Sequence, residues 1–334
     1  MEPKGPTVYP ADDLLKMSDA FRAPERPGEA KWFLATHEDR LYLHPYPFPE
    51  VLFRGQNRRY TPCVPSMFRG LGTLSSTMSE MPVRDQGLMV LRLAKSWWFA
   101  SELEEHPAMK WANEERIYVD KIALAQHYEL ETGYVDVSHD FDVAAFFATC
   151  CRRDAEWQPQ TDGIGIIYRV DLAKVPQDPL QFAQAVGLQP LPRPEQQRAW
   201  VVEVPLAWDF ESHPAVSWIQ FRQSEAVSRH FLELFDGGAK LFPPDPLAVV
   251  AEQIGKAGEI AADLVDRAID SFCQDRNGIR SQDRSTVRHA VSGMTTLGNY
   301  VHLMRHQDTA AMERAWNAQK DNFGKFVTTR PVRS

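Results

Sequence analysis

Cysteine is scarce, four residues in 334, and no two stand in a C-x-x-C spacing. Neither a zinc site nor a disulfide framework is indicated, and the adjacent Cys150–Cys151 pair reads as small apolar packing in a buried helix. No run reaches the roughly 18 apolar residues needed to span a bilayer. Met1–Gly5 lacks the basic-then-apolar pattern of an export signal. The expected location is the cytoplasm, with no membrane partner. Positive charge is also short: 37 Lys and Arg against 45 Asp and Glu leave a net charge of -8. Nucleic acid is therefore not an expected partner. The phosphate loop G-x-x-x-x-G-K-[ST], the dinucleotide fingerprint G-x-G-x-x-G and the nucleophile elbow G-x-S-x-G are all missing, which removes the usual nucleotide-fold and hydrolase readings. His302 and His306 have the i, i+4 spacing of a helical metal pair, but no third ligand accompanies them, so no metal is indicated.

What is present is an ordinary globular composition, 43% hydrophobic and 25% charged. Residues 1–29 read as an N-terminal extension with one helix, Asp12–Phe21. Strand-like alternation covers 41–55. Met89, Leu93, Trp97 and Ala100 recur at helical spacing within 84–105, and 114–129 reads as a second amphipathic helix. Gly133–Ser138 reads as a turn and short strand, Asp140–Cys151 as a small-residue helix, Gly163–Asp171 and Ala199–Val204 as strands. A proline-rich connection fills 176–194, and Ser224 caps a helix reaching Phe235. Composition breaks at Pro243-Pro244-Asp245-Pro246. Beyond it one apolar stripe runs from Val250 to Phe272, a second from Val287 to Met304, and a third helix covers 309–324. Arg276, Arg280, Arg284 and Arg288, interrupted by Asp275 and Asp283, read as a surface salt-bridge ladder. The divisions expected are 1–29, 30–245 and an all-helical 246–334.

Four segments carry the chemistry. Phe53-Arg54-Gly55-Gln56 ends a strand; arginine offers a planar fork of donors matched to phosphate or carboxylate, and glycine lets a flat ligand approach the main chain. Pro65-Ser66-Met67-Phe68-Arg69 completes this first segment. Next come Gln126-His127-Tyr128 and Tyr134-Val135-Asp136-Val137-Ser138 with the helix behind it. The last is Arg193-Pro194-Glu195-Gln196-Gln197-Arg198-Ala199-Trp200.

This ordered set resembles the FRG domain family. The family runs through a Phe/Tyr-Arg-Gly-Gln start, Pro-Ser-hydrophobic-Phe-Arg, Ala-Gln-His-Tyr-Gly with an Asp-Trp-Thr step, an Ala-x-Phe-Phe-Ala helix, and Arg-Pro-x-x-Gln-x-Gly-aromatic. The similarity covers about residues 50–205. Glu129 stands where glycine is usual, Val137-Ser138 replaces Trp-Thr, and Arg198-Ala199 replaces the late glycine. The order is also similar to that of the Arg–Ser–Glu branch of ADP-ribosyltransferases.

The resemblance implies an α+β fold, with a mainly antiparallel central sheet flanked by helices, and NAD as substrate. The expected activity is ADP-ribose transfer, to a protein acceptor, or NAD hydrolysis, in a bacterial toxin or phage-defence setting. In that scheme Arg54 grips the pyrophosphate or ribose, and the Gly55 backbone holds the carboxamide. Asp136 and Ser138 brace Arg54 or a ribose hydroxyl, and Tyr128 or Tyr134 stacks on the ring. Gln56, Gln126 and Arg193 complete the nucleotide contacts, and His127 serves as hydrogen-bond donor or acid–base. Gln197 stands where the catalytic acid is expected. Glutamine cannot offset positive charge, so a flanking carboxylate such as Glu203, Glu195 or Glu225 serves, or the domain binds a nucleotide without turnover. The second alternative is a sensor whose 246–334 helices signal or self-associate.

Overall fold

The computed structural model describes residues 7–329 apart from 23–31, 38–39, 46, 73, 155, 176–181, 187–190, 305 and 326. In chain order, strand β1 (Val8–Tyr9) is followed by helix α1 (Asp12–Phe21), matching the expected helix. Strands β2 (Trp32–His37), β3 (Arg40–Pro45) and β4 (Val51–Gln56) lead to α2 (Val83–Leu103), α3 (Pro107–Glu114) and α4 (Lys121–His127). Then come β5 (Tyr134–Ser138), α5 (Phe141–Thr149), β6 (Cys150–Arg153), β7 (Glu156–Pro159), β8 (Ile164–Asp171) and β9 (Ala183–Ala185). The series continues with α6 (Pro192–Gln196), β10 (Ala199–Glu203), β11 (Val216–Arg222), α7 (Glu225–Leu234) and α8 (Pro246–Lys256). It ends with β12 (Glu259–Ala261), α9 (Ala262–Gln274), α10 (Arg284–Ser292), β13 (Thr296–Gly298), α11 (His306–Lys325) and β14 (Val327–Thr329).

The chain is α+β, and its centre is a seven-stranded sheet in the order β1-β11-β8-β4-β5-β10-β9. Every neighbouring pair is antiparallel except β1 beside β11. Alternation along the strands sorts side chains to two faces. Phe53, Ile167 and Phe221 meet Ala144, Phe146 and Ala148 of α5 and Phe231 of α7. Leu52, Tyr168, Val170, Trp200 and Val202 form a second layer with Phe182 and Phe210. At the β10 end, Ala199 and Val201 join a third cluster built on α2 and α4. The helices after Pro246 share that cluster: Met89, Val90 and Ala94 pack with Leu247, Leu264, Ile269 and Val287. Gly87 makes room for α10, since a Cβ there would stand 3.2 Å from the Ala290 Cβ.

Several expectations need correction. The helix expected over 114–129 is broken: α3 stops at Glu114, Arg116 takes a left-handed φ of 59°, and α4 restarts on an Asp120 cap that accepts from Ile122 and Ala123. Of the stripe expected on α2, Met89 is buried and Leu93, Trp97 and Ala100 are half-buried, while Val90, Ala94, Phe99 and Leu103 beside it are fully buried. Cys150 and Cys151 lie in β6, not in the helix, which ends at Thr149. Ser224 precedes α7 but its hydroxyl makes no capping bond. The connection at 176–194 contains an edge strand, β9. The region after 246 is not all helical. Its first stripe is cut by β12, and its second ends with α10 and continues into β13, paired parallel to β12. β14 returns to pair with β2. His302 lies outside any helix, its Nδ1 3.2 Å from Glu102 Oε1. Three of the four arginines form the expected ladder, Arg280 with Asp283, Arg284 with Asp270 and Arg288 with Asp266.

Candidate functional site

Strand β4 pairs with β8 along its whole length but meets β5 only where Phe53 faces Ser138. Past that point β4 and β5 part, and a cleft of about 480 Å³ opens between them, a size suited to a small-molecule ligand. Arg54 spans the wedge: its Nη1 donates to the main-chain oxygen of Asp136 at 2.7 Å and lies 3.4 Å from Asp136 Oδ2. Its side chain is 10% exposed against 41% for Asp136. The Nε is buried without a partner, and Nη2 makes no hydrogen bond to the described residues. That free edge is the one that grips two oxygens of a phosphate at once. The expected anchoring of Arg54 by Asp136 is therefore what the geometry contains.

Gly55 has a packing reason beside the expected ligand role. An added Cβ would overlap the Ala144 carbonyl oxygen and stand 2.7 Å from its carbon and 2.8 Å from the Ala148 nitrogen. The glycine admits the backbone of α5, whose alanines let helix and strand touch. It still lines the cleft.

The strand-to-helix step after β5 is held by polar caps. Asp140 accepts from the Asp142 amide at 2.8 Å, and the Ser138 hydroxyl accepts from the Asp140 amide at 3.0 Å. Ser138 donates to the carbonyl of Gln197 at 2.8 Å. It does not bond Arg54, so its bracing acts on the β10 approach instead. The Gln197 side chain is buried; its Nε2 donates to the Leu241 carbonyl at 3.1 Å and its Oε1 lies 3.0 Å from His127 Nδ1. His127 is 6% exposed, and its Nε2 has no partner among the described residues. Burial holds the imidazole below its ordinary value, opposed by the Asp136 carboxylate. Gln126 has its Oε1 taken by the Thr132 and Ser66 hydroxyls, which leaves the amide nitrogen for the cleft. Gln56 is buried with Oε1 unpartnered.

The cleft thus collects Arg54, Gly55, Gln56, Gln126, His127, Asp136, Ser138 and Gln197. Tyr128, Tyr134, Arg193 and Glu203 are not among its walls. Tyr128 donates its hydroxyl to Asp245, Tyr134 donates to Asp120 at 3.1 Å, and Arg193 lies over the Tyr128 and Phe242 rings at 5.2 and 5.5 Å. Glu203 ends β10 opposite Tyr134. Of the other acids, Glu225 pairs with Arg229 along α7 and Glu195 lies exposed on α6.

Sequence reasoning missed the aromatic wall. Phe147, Trp157 and Phe242 line the cleft, with Trp157 and Phe242 stacked at 5.3 Å and 24°. Phe147 belonged to the recognisable Ala-x-Phe-Phe-Ala helix, but nothing local ties Trp157 or Phe242 to it. Arg69 was also missed, although it closes the Pro-Ser-Met-Phe-Arg segment. It lines the cleft and donates to the Val64 carbonyl at 3.3 Å. Partial burial and the Arg54 guanidinium push its pKa down. Among the described residues no carboxylate pairs with Arg69, whereas Arg152 pairs with Glu129 at the rim and Arg54 with Asp136. One positive charge in the cleft is left uncompensated. Glu129, where the family pattern has glycine, takes a left-handed φ of 67°.

Residues 49–156 match the model of the FRG domain. The match includes three of the four segments and stops before Arg193–Trp200. No curated protein and no solved structure matches the chain.

Proposed function

Since the chain is an FRG-domain protein, we propose that its cleft binds a nucleotide, NAD, and cleaves the glycosidic bond to nicotinamide, passing ADP-ribose to water or to an acceptor. One observation carries the binding half. Arg54 Nε, Gln56 Oε1, His127 Nε2 and Asp136 Oδ1 are all buried without a partner among the described residues, and all four residues line the same cleft. Buried polar atoms are partnered in the great majority of cases, and each one left unmade costs about 1–3 kcal/mol. Four such residues around one cleft describe a site shaped for a polar ligand.

The rest of the wall supports the class of ligand. Arg54 presents an open fork and Arg69 an unpaired positive charge, which suit a pyrophosphate. Phe147, Trp157 and Phe242 give the cleft an aromatic wall suited to a planar ring, the role first expected of Tyr128 and Tyr134. NAD rests on the similarity in motif order to ADP-ribosyltransferases. For the chemistry, departure of nicotinamide leaves an oxocarbenium-like centre that a carboxylate stabilises. Asp136 is the carboxylate of the inner cleft, because Glu129 is tied to Arg152 and Glu203 stands elsewhere. Arg54 then holds both the phosphate and the Asp136 main chain, setting the distance between them.

The test is nicotinamide release from NAD by the full chain, beside calorimetric binding. Arg54→Ala lowers both affinity and turnover by about a hundredfold or more. Asp136→Asn, which keeps the main-chain anchor, lowers turnover by a similar factor with little change in affinity. Unchanged turnover in Arg54→Ala refutes the reading.

A second reading is a ligand sensor. Its support is that Asp136 is already engaged by Arg54 and that the wall residue Phe242 lies three residues before Asp245, the cap of α8. Tight NAD binding without nicotinamide release decides in its favour.

A further inference from the structure

The hydrogen-bond direction around His127 can be followed atom by atom. Gln197 Nε2 donates to the Leu241 carbonyl, an acceptor that cannot reverse the bond. The amide is thereby oriented, and its Oε1 faces His127 Nδ1 at 3.0 Å. An amide oxygen only accepts, so Nδ1 must carry the hydrogen. In the neutral ring Nε2 is then a bare lone pair, and it is the buried atom that has no partner among the described residues, in a side chain lining the cleft. Ser138, through the Gln197 carbonyl at 2.8 Å, and the turn before β10 keep Gln197 in place.

We propose that His127 is the proton acceptor of this site, a neutral base whose tautomer Gln197 sets, and that its counterpart is an O–H donor: water or an acceptor hydroxyl. The inference rests on the NAD reading above and adds the nucleophile's activation to it. The donor's O–H bond breaks and its proton moves to Nε2, while the oxygen lone pair forms the bond to C1′ of the ribose. The electron pair of the C1′–N bond leaves with nicotinamide, which departs neutral. The imidazolium then returns its proton to solvent. Asp136 on β5 and Arg193 on α6 are the charged groups acting on the ring, the first favouring and the second opposing the imidazolium. Gln197 is the positioning residue; His127 touches the reacting atoms.

Two measurements test this. Nitrogen-15 correlation spectra of histidine-labelled protein, with the signal assigned by its loss in His127→Gln, read the tautomer without any ligand. The expected pattern at pH 7 is protonated Nδ1 and bare Nε2; a protonated Nε2 overturns the proposal while leaving the NAD reading untouched. The second is the pH profile of nicotinamide release. His127→Gln lowers kcat about 10²- to 10⁴-fold with a smaller change in KM. Gln197→Glu gives Nδ1–H a charged partner and moves the acid limb up by about one pH unit or more, whereas a merely structural glutamine leaves the limb in place. An unmoved limb, or an unaltered kcat in His127→Gln, overturns the assignment. Wild type that binds NAD and never releases nicotinamide removes the reaction and this base together.

Discussion

Replacing Gly55 with alanine separates two explanations of the same residue. If the glycine exists so that a ligand can approach the main chain, the variant folds normally and binds poorly. The geometry says otherwise. The new Cβ would sit 2.7 Å from the Ala144 carbonyl carbon, against 3.4 Å for ordinary contact, and would overlap the attached oxygen. The obstacle is helix backbone, so no rotamer change relieves it. The α5 helix must retreat from β4 by about 0.7 Å at the carbon alone, the difference between 3.4 and 2.7 Å. That retreat loosens Ala144, Phe146 and Ala148 from Phe53 and Ile167 across one face of the sheet. Overpacking of this kind typically costs 1–3 kcal/mol, and the rigid obstacle places Gly55→Ala at the upper end, about 3 kcal/mol. Thermal and urea unfolding of wild type and variant, monitored by the near-ultraviolet signal of the tryptophans, measure it. A melting temperature lower by about 5 °C or more is expected. A variant within about 0.5 kcal/mol of wild type, with ligand affinity lost, refutes the reasoning and restores the ligand explanation.

Other outcomes follow from single residues. Trp157→Ala removes part of the aromatic wall and lowers affinity for NAD about tenfold, about 1.4 kcal/mol, while binding of inorganic pyrophosphate, measured by calorimetry, is unchanged. Arg69→Ala weakens pyrophosphate binding and flattens its dependence on ionic strength, because the unpaired charge of the cleft is gone. Glu102 is fully buried and receives Tyr300 Oη at 2.6 Å and the amides of Leu303 and Met304 at 3.1 and 2.9 Å; Glu102→Ala strands these donors, costs about 3 kcal/mol or more, and speeds amide exchange at 303–304. His106 accepts from the Ala108 amide at 3.1 Å as the cap of α3, and burial pushes it down to about 4 from 6.5. With the folded value depressed, its contribution is present above pH 6.5 and is lost as pH falls toward 4, about 3 kcal/mol in all. His106→Asn keeps a capping acceptor and flattens the stability curve over that window.

Much of the sheet was legible because its strands carry a local signature. The runs ending at Gln56, Ser138, Asp171 and Glu203 are apolar and bounded by turn residues, and all four are strands of the central sheet. The helix at 114–129 was not legible, because its apolar spacing continues through a left-handed Arg116 that no pattern of hydrophobicity reports. The stripes after residue 246 misled for a related reason. Val250 to Phe272 keeps period along the sequence, yet a short parallel pairing of β12 with β13 interrupts the helix, and that pairing joins residues far apart in the chain.

The candidate site divides along the same line. The motif residues Arg54, Gln126, His127, Asp136 and Gln197 meet because β4, α4, β5 and the approach to β10 are neighbours, an adjacency carried by the order of the segments. Which side chains face the cleft is another matter, decided by where β4 and β5 stop pairing. Since they pair only at Phe53 and Ser138, Arg54 reaches across the gap. Tyr134, farther back on β5, reaches Asp120 beside α4 instead. Glu129 shows what the pattern can still reveal: its φ of 67° suits glycine, and an ordinary residue in that region costs about 1–2 kcal/mol. Its ion pair with Arg152 is exposed, 59% and 45%, and returns little. Glu129→Gly should therefore leave stability within about 1 kcal/mol of wild type or raise it, whereas Glu129→Val, a branched residue at positive φ, should lower it. Chemical denaturation of the three proteins ranks them. Glycine ranking below valine would show that the backbone there is not left-handed, and with it that the turn delivering His127 to the cleft has another shape.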